Sequence, residues 1–262
     1  MITLLNGDAW AKEEILANMF DDEFYYGHLG KHALSSSSLK TILKSPKTYR
    51  NVIKYGDPSA DSPALSLGKL AHWMLLEPHK IDEIHFVDAS TKNTIKYKEA
   101  KEVHEDLEGY RKEVFLTKER KATERITDAV LRNEAALKLL SNSEFEVPEI
   151  AMIEGLPFRG KADIIQGDTI IDYKTSSELK NFRYSADKYG YDLQAYMYLR
   201  LFNKKKFTFL VVDKGSTDIA IFETSEDFIN KGKDKFYTAV ENYKYFFEDN
   251  NDLDQYVMRG IL

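Results

Sequence analysis

Two aspartates and a lysine, Asp163, Asp172 and Lys174, sit inside apolar, β-branched sequence where an unpaired charge is costly. The stretch 157–176, P-F-R-G-K-A-D-I-I-Q-G-D-T-I-I-D-Y-K-T-S, reads as two strands joined across Gly167-Asp168, a two-residue hairpin turn. In that register Asp163 stands opposite Asp172 on one face, with Cβ atoms about 4.5–5.5 Å apart, where like charges repel. Strand alternation brings Lys174 to the face of Asp172, and Lys161 is its cross-strand neighbour. Such a trio fits three arrangements. A structural ion-pair cluster perturbs carboxylates without doing chemistry. A divalent-cation site uses them as hard oxygen ligands for Mg²⁺ or Mn²⁺, together with water and a substrate phosphate. A glycosidase-like acid/base pair is disfavoured, because a lysine on the same face holds both carboxylates ionised.

Other elements must bring further groups to this hairpin. Residues 145–153, F-E-V-P-E-I-A-M-I, form a strand that feeds it through a turn at Glu154-Gly155, and Pro148 demotes that strand to an edge or bulged position. Glu149 is the acid in its apolar part and a candidate third carboxylate, with the register across the turn left open. Leu65–Glu77 is a core helix stopped by Pro78, with His72 in its middle, where a satisfied core histidine is the plainer reading. Tyr189–Phe202 is an aromatic helix that carries Gln194 and Tyr198 four apart on one face; a packing helix with an amide on its rim explains them equally.

The remaining segments read as scaffold. Trp10–Phe20 is amphipathic, and in the following F-Y-Y-G-H-L-G-K-H the glycines argue for a loop, so His28 and His32 are loop histidines and not a metal pair. Ser35–Ser38 cap a helix over Leu39–Leu43, Pro46 restarts one, and 56–64 is a loop. Residues 92–140 read as two solvated helices with apolar positions at Val103, Leu107, Tyr110, Val114, Ile126, Val130, Leu137 and Leu140. Lys92, Lys96, Lys98 and Lys101 could border a phosphate track. After a polar loop at 176–188 and the aromatic helix come strands at 207–213 and 218–223 and a helix at 225–249. The order gives an α/β (α+β) fold, a sheet with helices packed on it.

At 262 residues the chain suits one large domain. No run of about 18 apolar residues is present, so no membrane helix is expected. The first ten residues lack a signal peptide's basic segment, and there are no cysteines, which excludes disulfides and Cys-ligated metal and agrees with a cytoplasmic location. The net charge of −6 argues against simple coating of nucleic acid, though not against an enzyme acting on it.

Taken in order, Gly68-x-x-x-His72, Glu149, Gly160-Lys161-Ala162-Asp163, Asp172-Tyr173-Lys174-Thr175 and Gln194-x-x-x-Tyr198 resemble the PD-(D/E)xK nuclease superfamily, in its RecB-nuclease-like branch. Ala162 stands where the name-giving proline would be. The stretch S-S-S-S-L-K-T-I-L-K-S-P-K-T-Y-R and the helix G-K-L-A-H-W-M-L-L-E-P look like the RecE (exodeoxyribonuclease VIII) nuclease domain and its phage relatives. The resemblance covers about residues 30–200. It implies a restriction-endonuclease-like mixed sheet flanked by helices: one nuclease domain over 1–262, with a helical N-terminal extension (1–64) and a core (65–262).

It also implies Mg²⁺ (or Mn²⁺) held by Asp163 and Asp172, with Glu149 and the Tyr173 carbonyl completing the shell, His72 as an additional ligand or orienting metal-bound water, and Lys174 positioning or activating the attacking water. Gln194 and Tyr198 would brace the site or hold the DNA strand, Thr175 would face the substrate, and Lys161 would contact phosphate or neutralise the carboxylates when metal is absent. The implied activity is 5′→3′ degradation of linear double-stranded DNA, leaving 3′ overhangs for recombination. A ring-shaped homo-oligomer and a RecT-like single-strand annealing partner are implied with it. An endonuclease or repair nuclease, or a catalytically silent DNA-binding module, are the alternatives on the same fold.

Overall fold

The computed structural model describes residues 1–56, 63–105 and 113–257; Leu107, Tyr110 and most of the 56–64 loop lie outside the described residues. The chain opens with β1 (Ile2–Thr3), β2 (Ala9–Trp10) and α1 (Lys12–Asn18). A π-helical turn at Glu23–His28 runs into α2 (Leu29–His32), followed by α3 (Ser36–Lys44), α4 (Pro46–Tyr55) and α5 (Pro63–Leu76). Next come β3 (His85–Val87), α6 (Ile95–Glu105), β4 (Val114–Leu116), α7 (Thr117–Arg132) and α8 (Glu134–Leu140). The rest is β5 (Glu144–Ile153), β6 (Leu156–Gln166), β7 (Thr169–Ser176), α9 (Phe182–Lys188), α10 (Tyr191–Leu201), β8 (Lys206–Asp213), β9 (Ile219–Glu223) and α11 (Glu226–Tyr243).

Strands β5 to β9 form one sheet in sequence order, antiparallel throughout except for the parallel pair β7–β8. That pair needs a crossover, which α9 and α10 provide. The β6–β7 hairpin has the register expected from its two-residue turn, with Ile164 opposite Ile171 and Ile165 opposite Ile170. At the β5–β6 turn, Glu154 (φ 54°) and Gly155 (φ 83°) both take positive φ, the signature of a two-residue type I′ connection. It sets Ile153 opposite Leu156 and Phe145 opposite Ile164.

Both sheet faces are covered. On one, Ile164, Ile171, Tyr173, Leu210 and Val212 pack against Ala71 of α5 and Ile126 and Val130 of α7. On the other, Ile165, Ile170, Phe207 and Phe209 meet Phe182 and Ala186 of α9 and Ala195 of α10. The N-terminal helices are part of this body: Leu39, Ile42 and Tyr49 share a cluster with Phe158, Leu193, Met197 and Phe236. Leu34 also pairs with the start of β6, its N–H donating to the Pro157 carbonyl and its carbonyl accepting from Arg159 N–H, both at 2.8 Å.

Three segments differ from the sequence reading. Residues 23–32 are helical despite Gly27 and Gly30, because Trp10, Phe24 and His28 stack together over buried Tyr25 and Leu29. Among the described residues the 92–140 region holds three helices and a strand: Val114 belongs to β4, which pairs in parallel with β3. The polar loop at 176–188 contains α9, anchored by buried Phe182 and Ala186.

Helix α11 approaches the first turn of α10 so closely that a Cβ on Gly232 would lie 2.0 Å from the Asp192 carbonyl oxygen. Helix propensity alone favours alanine there by about 1 kcal/mol. The backbone clash outweighs it, so Gly232→Ala is expected to destabilise the protein by about 3 kcal/mol, read as a lower urea midpoint with an unchanged m-value.

Candidate metal centre

The β6–β7 ladder ends at Ile164–Ile171, one position short of the two aspartates. There the Asp163 carboxylate enters between the strands, and its Oδ2 accepts the Tyr173 N–H at 2.8 Å. Asp172, buried in the sheet, accepts from Gln194 Nε2 at 2.7 Å through Oδ1, and its Oδ2 is ion-paired with Lys174 Nζ at 2.5 Å. From α5, the His72 imidazole reaches Glu146 Oε1 at 2.5 Å through Nε2 and lies 3.7 Å from Asp163 Oδ2 through Nδ1. Helix α5 thus serves the site from one sheet face and α10 from the other.

The carboxylate that β5 contributes is Glu146. In the I′-turn register it falls between the Phe145–Ile164 and Val147–Ala162 pairs, across from Asp163. Glu149, the acid favoured from sequence, is corrected: three residues further on, it alternates to the other face. It stands opposite Gly160, ion-pairs with Lys12 at 2.7 Å and accepts the Ile150 N–H.

Glu77, at the end of α5, completes a second cluster, since ligand atoms of His72, Glu77 and Glu146 lie within 4.8 Å of one another. Its signal in the sequence was faint, because five positions separate it from His72 and that spacing does not share a helix face. For Glu146 the signal was the Glu154-Gly155 turn itself, whose two-residue reading brings this acid level with Asp163.

Of the other candidates, Tyr198 donates to the Lys161 carbonyl at 3.3 Å and so braces β6. The Lys161 ammonium turns toward Asp22, 4.0 Å away, and the Tyr25 ring. Thr175 lines the cleft where α5 passes at Gly68. The Tyr173 backbone runs between the two aspartates.

Burial dominates the electrostatics. It pushes the Asp172 carboxyl up to about 6, with Lys174 opposing and Asp163 adding to the rise. Asp163 is raised by burial too, against the pull of His72 and Lys174. Burial would lower His72, but Asp163 and Glu146 outweigh it and lift the imidazole to about 9. Burial likewise opposes the charge on Lys174, and Asp172 and Asp163 overcome it, holding the ammonium charged. Two sunken carboxylates and a third beside an imidazole make a mainly oxygen donor set suited to Mg²⁺ or Mn²⁺.

The cluster lies in a cleft of about 1410 Å³, above the range of about 300–1,000 Å³ usual for small-molecule pockets. Among the described residues eight lysines and Arg159 line it against five carboxylates, so its wall is basic although the chain carries −6. Lys92, Lys98 and Lys101 are on that wall; Lys96 instead donates to the Asp88 carbonyl. Among the described residues no helix is long and apolar enough to cross a membrane.

A family model described as "PDDEXK-like domain of unknown function (DUF3799)" matches residues 35–252. No curated protein matches the chain. Among solved structures, a "Putative exonuclease" from Eubacterium rectale superposes with a TM-score of 0.66 at 14% identity, covering 92% of this chain and 95% of that one. At that identity the likeness is one of fold. A more distant likeness, TM-score 0.36 at 16% identity over 84% of this chain and 96% of the other, is to a phage related exonuclease from Haemophilus somnus 129PT.

Two outcomes follow from the geometry. Glu146→Gln is expected to weaken Mg²⁺ binding about tenfold in calorimetric titration. Glu149→Gln should leave it unchanged, losing only a surface pair worth up to about 1 kcal/mol. The second outcome concerns pH. The raised His72 pKa stabilises the fold fully below its ordinary 6.5 and loses that contribution as pH climbs through about 9. The raised Asp172 pKa acts with the same sign, favouring the fold below 3.8 and losing that as pH passes about 6. The melting temperature of the metal-free protein is therefore expected to fall between about pH 4 and about pH 9, and His72→Gln to flatten the part of that decline above about pH 6.5.

Proposed function

The chain belongs to the PDDEXK-like family DUF3799, and on that premise we propose that it is a metal-dependent deoxyribonuclease that degrades linear double-stranded DNA from its ends. One observation carries the reading: Asp163 and Lys174 line a lysine-rich cleft of about 1410 Å³, and Asp172 lies buried beneath it, ion-paired with Lys174. A structural ion cluster has no need of such a cleft.

In this reading Asp163, Asp172, the Tyr173 carbonyl and the His72–Glu146 pair would hold Mg²⁺, or Mn²⁺ in its place. Such an ion would supply Lewis-acid polarisation of a phosphate oxygen and would ease the ionisation of water. The Tyr173 N–H fixes the Asp163 carboxylate, and Gln194 fixes that of Asp172. Lys174, kept charged by its two aspartates, orients the attacking water and stabilises the negative charge that grows on the phosphoryl oxygens. Lys69, Lys92 and Lys98 on the wall receive the flanking phosphates. A cleft of this sign on an acidic chain draws the polyanion to one place and leaves the rest of the surface repulsive to it.

Attack from ends, 5′→3′ polarity, 3′ overhangs for recombination, a cytoplasmic setting, a homo-oligomeric ring and a single-strand annealing partner belong to the same proposal. Their support is the resemblance of the S-S-S-S-L-K and G-K-L-A-H-W-M-L-L-E-P stretches to the RecE nuclease domain.

With Mg²⁺ and end-labelled DNA, linear duplex is expected to be digested while a covalently closed circle is spared. Asp172→Ala should abolish digestion yet leave DNA binding in place, and Lys174→Ala should slow it by about 10²–10³-fold. Undiminished digestion by Asp172→Ala rejects the site. Cutting of the closed circle replaces the exonuclease by an endonuclease.

A further inference from the structure

We infer that Lys40, carried by α3 ahead of the sheet, is a positioning residue that acts through the Gln194 amide to aim the metal-binding carboxylate of Asp172. The inference rests on the reading of Asp172 as a metal ligand. Lys40 Nζ donates to Gln194 Oε1 at 3.2 Å, and Gln194 Nε2 donates to Asp172 Oδ1 at 2.7 Å. An amide is chemically two-sided: its oxygen only accepts and its nitrogen only donates. Flipped, Gln194 would turn its oxygen on a buried carboxylate and its NH₂ on an ammonium, and both contacts repel. Lys40 therefore selects one of the two amide orientations. The selected one presents a donor to Asp172 Oδ1.

The lysine is held for this task. Its stem lies along Gly190, with Cε and Cγ each 3.5 Å from where a Cβ would stand. Its ammonium sits 5.4 Å from the centre of the Tyr191 ring, the same ring that the Lys174 ammonium approaches at 5.4 Å. Among the described residues no carboxylate lies within ion-pair distance of Lys40, and burial together with Lys174 depresses its pKa to about 8. An ammonium in such surroundings is a poor choice for stability, and an apolar side chain of similar volume would serve the fold as well or better. Its retention makes sense through the chain Lys40–Gln194–Asp172.

The test separates this role from a structural one. Lys40→Met is expected to lower kcat on linear duplex about tenfold, at unchanged KM for DNA, while the melting temperature holds or rises. Lys40→Arg, which keeps the charge, recovers most of the rate. Gln194→Met loses about the same tenfold factor, and the double variant loses no more than either alone. In the metal-free protein, with no turnover involved, the side-chain amide NMR signals of Gln194 are identified by their absence in Gln194→Met. They are expected to shift in Lys40→Met and to hold in Lys40→Arg. Multiplying losses in the double variant, unmoved Gln194 signals in Lys40→Met, or a lowered melting temperature that accounts for the lost rate would each overturn the inference. If the wild type cleaves no DNA, the nuclease reading fails while the amide signals still decide whether Lys40 sets Gln194.

Discussion

The hydrogen bond from the Tyr173 N–H to the Asp163 carboxylate marks the place where a β-hairpin stops pairing with itself and begins to hold charge. Carboxylates taken out of water cost several kcal/mol each unless their lone pairs and charge are answered. Here the answers come from every side. β7 supplies a backbone donor and Lys174, α5 supplies His72, and α10 supplies Gln194. The mixed sheet with helices on both faces is what lets these groups meet. A sheet covered on one side only could not bring α5 and α10 to the same pair of acids.

Two kinds of charge balance operate at different ranges. Near the aspartates the compensation is short-ranged and stereospecific, and His72 and Lys174 keep protons that burial alone would remove. Farther out, the lysines of the cleft act as a field and need no fixed geometry. Several of them are tethered to acids, such as Lys69 to Glu113 and Lys80 to Glu77 and Asp22. The cleft is thus basic on average but organised by pairs.

Much of the central sheet could be read from sequence because its signals are local. Gly167-Asp168 is a two-residue turn between alternating strands, and the register around it follows without tertiary information. The same reasoning applied to Glu154-Gly155 leads to Glu146. The eye goes to Glu149 because it sits deeper in the apolar run, but strand parity, not apolar surroundings, decides which acid shares a face with Asp163. Where non-local contacts dominate, local pattern fails. Gly27 and Gly30 read as loop formers until Trp10 and Phe24 stack over His28. β3 and β4 are three residues each and exist only by pairing with one another. Lys40 carries no local mark at all, since its partner lies 154 positions away.

The pairing of Leu34 with β6, and the burial of Leu39, Ile42 and Tyr49 under Phe158 and α10, tie the first helices to the strand that carries Asp163. An N-terminal segment knitted in this way is not an appendage that can be traded between proteins like a bead on a string. Recombination at a junction near residue 65 would part Leu34 from its strand, so shuffled descendants of this chain should inherit both pieces together or lose both.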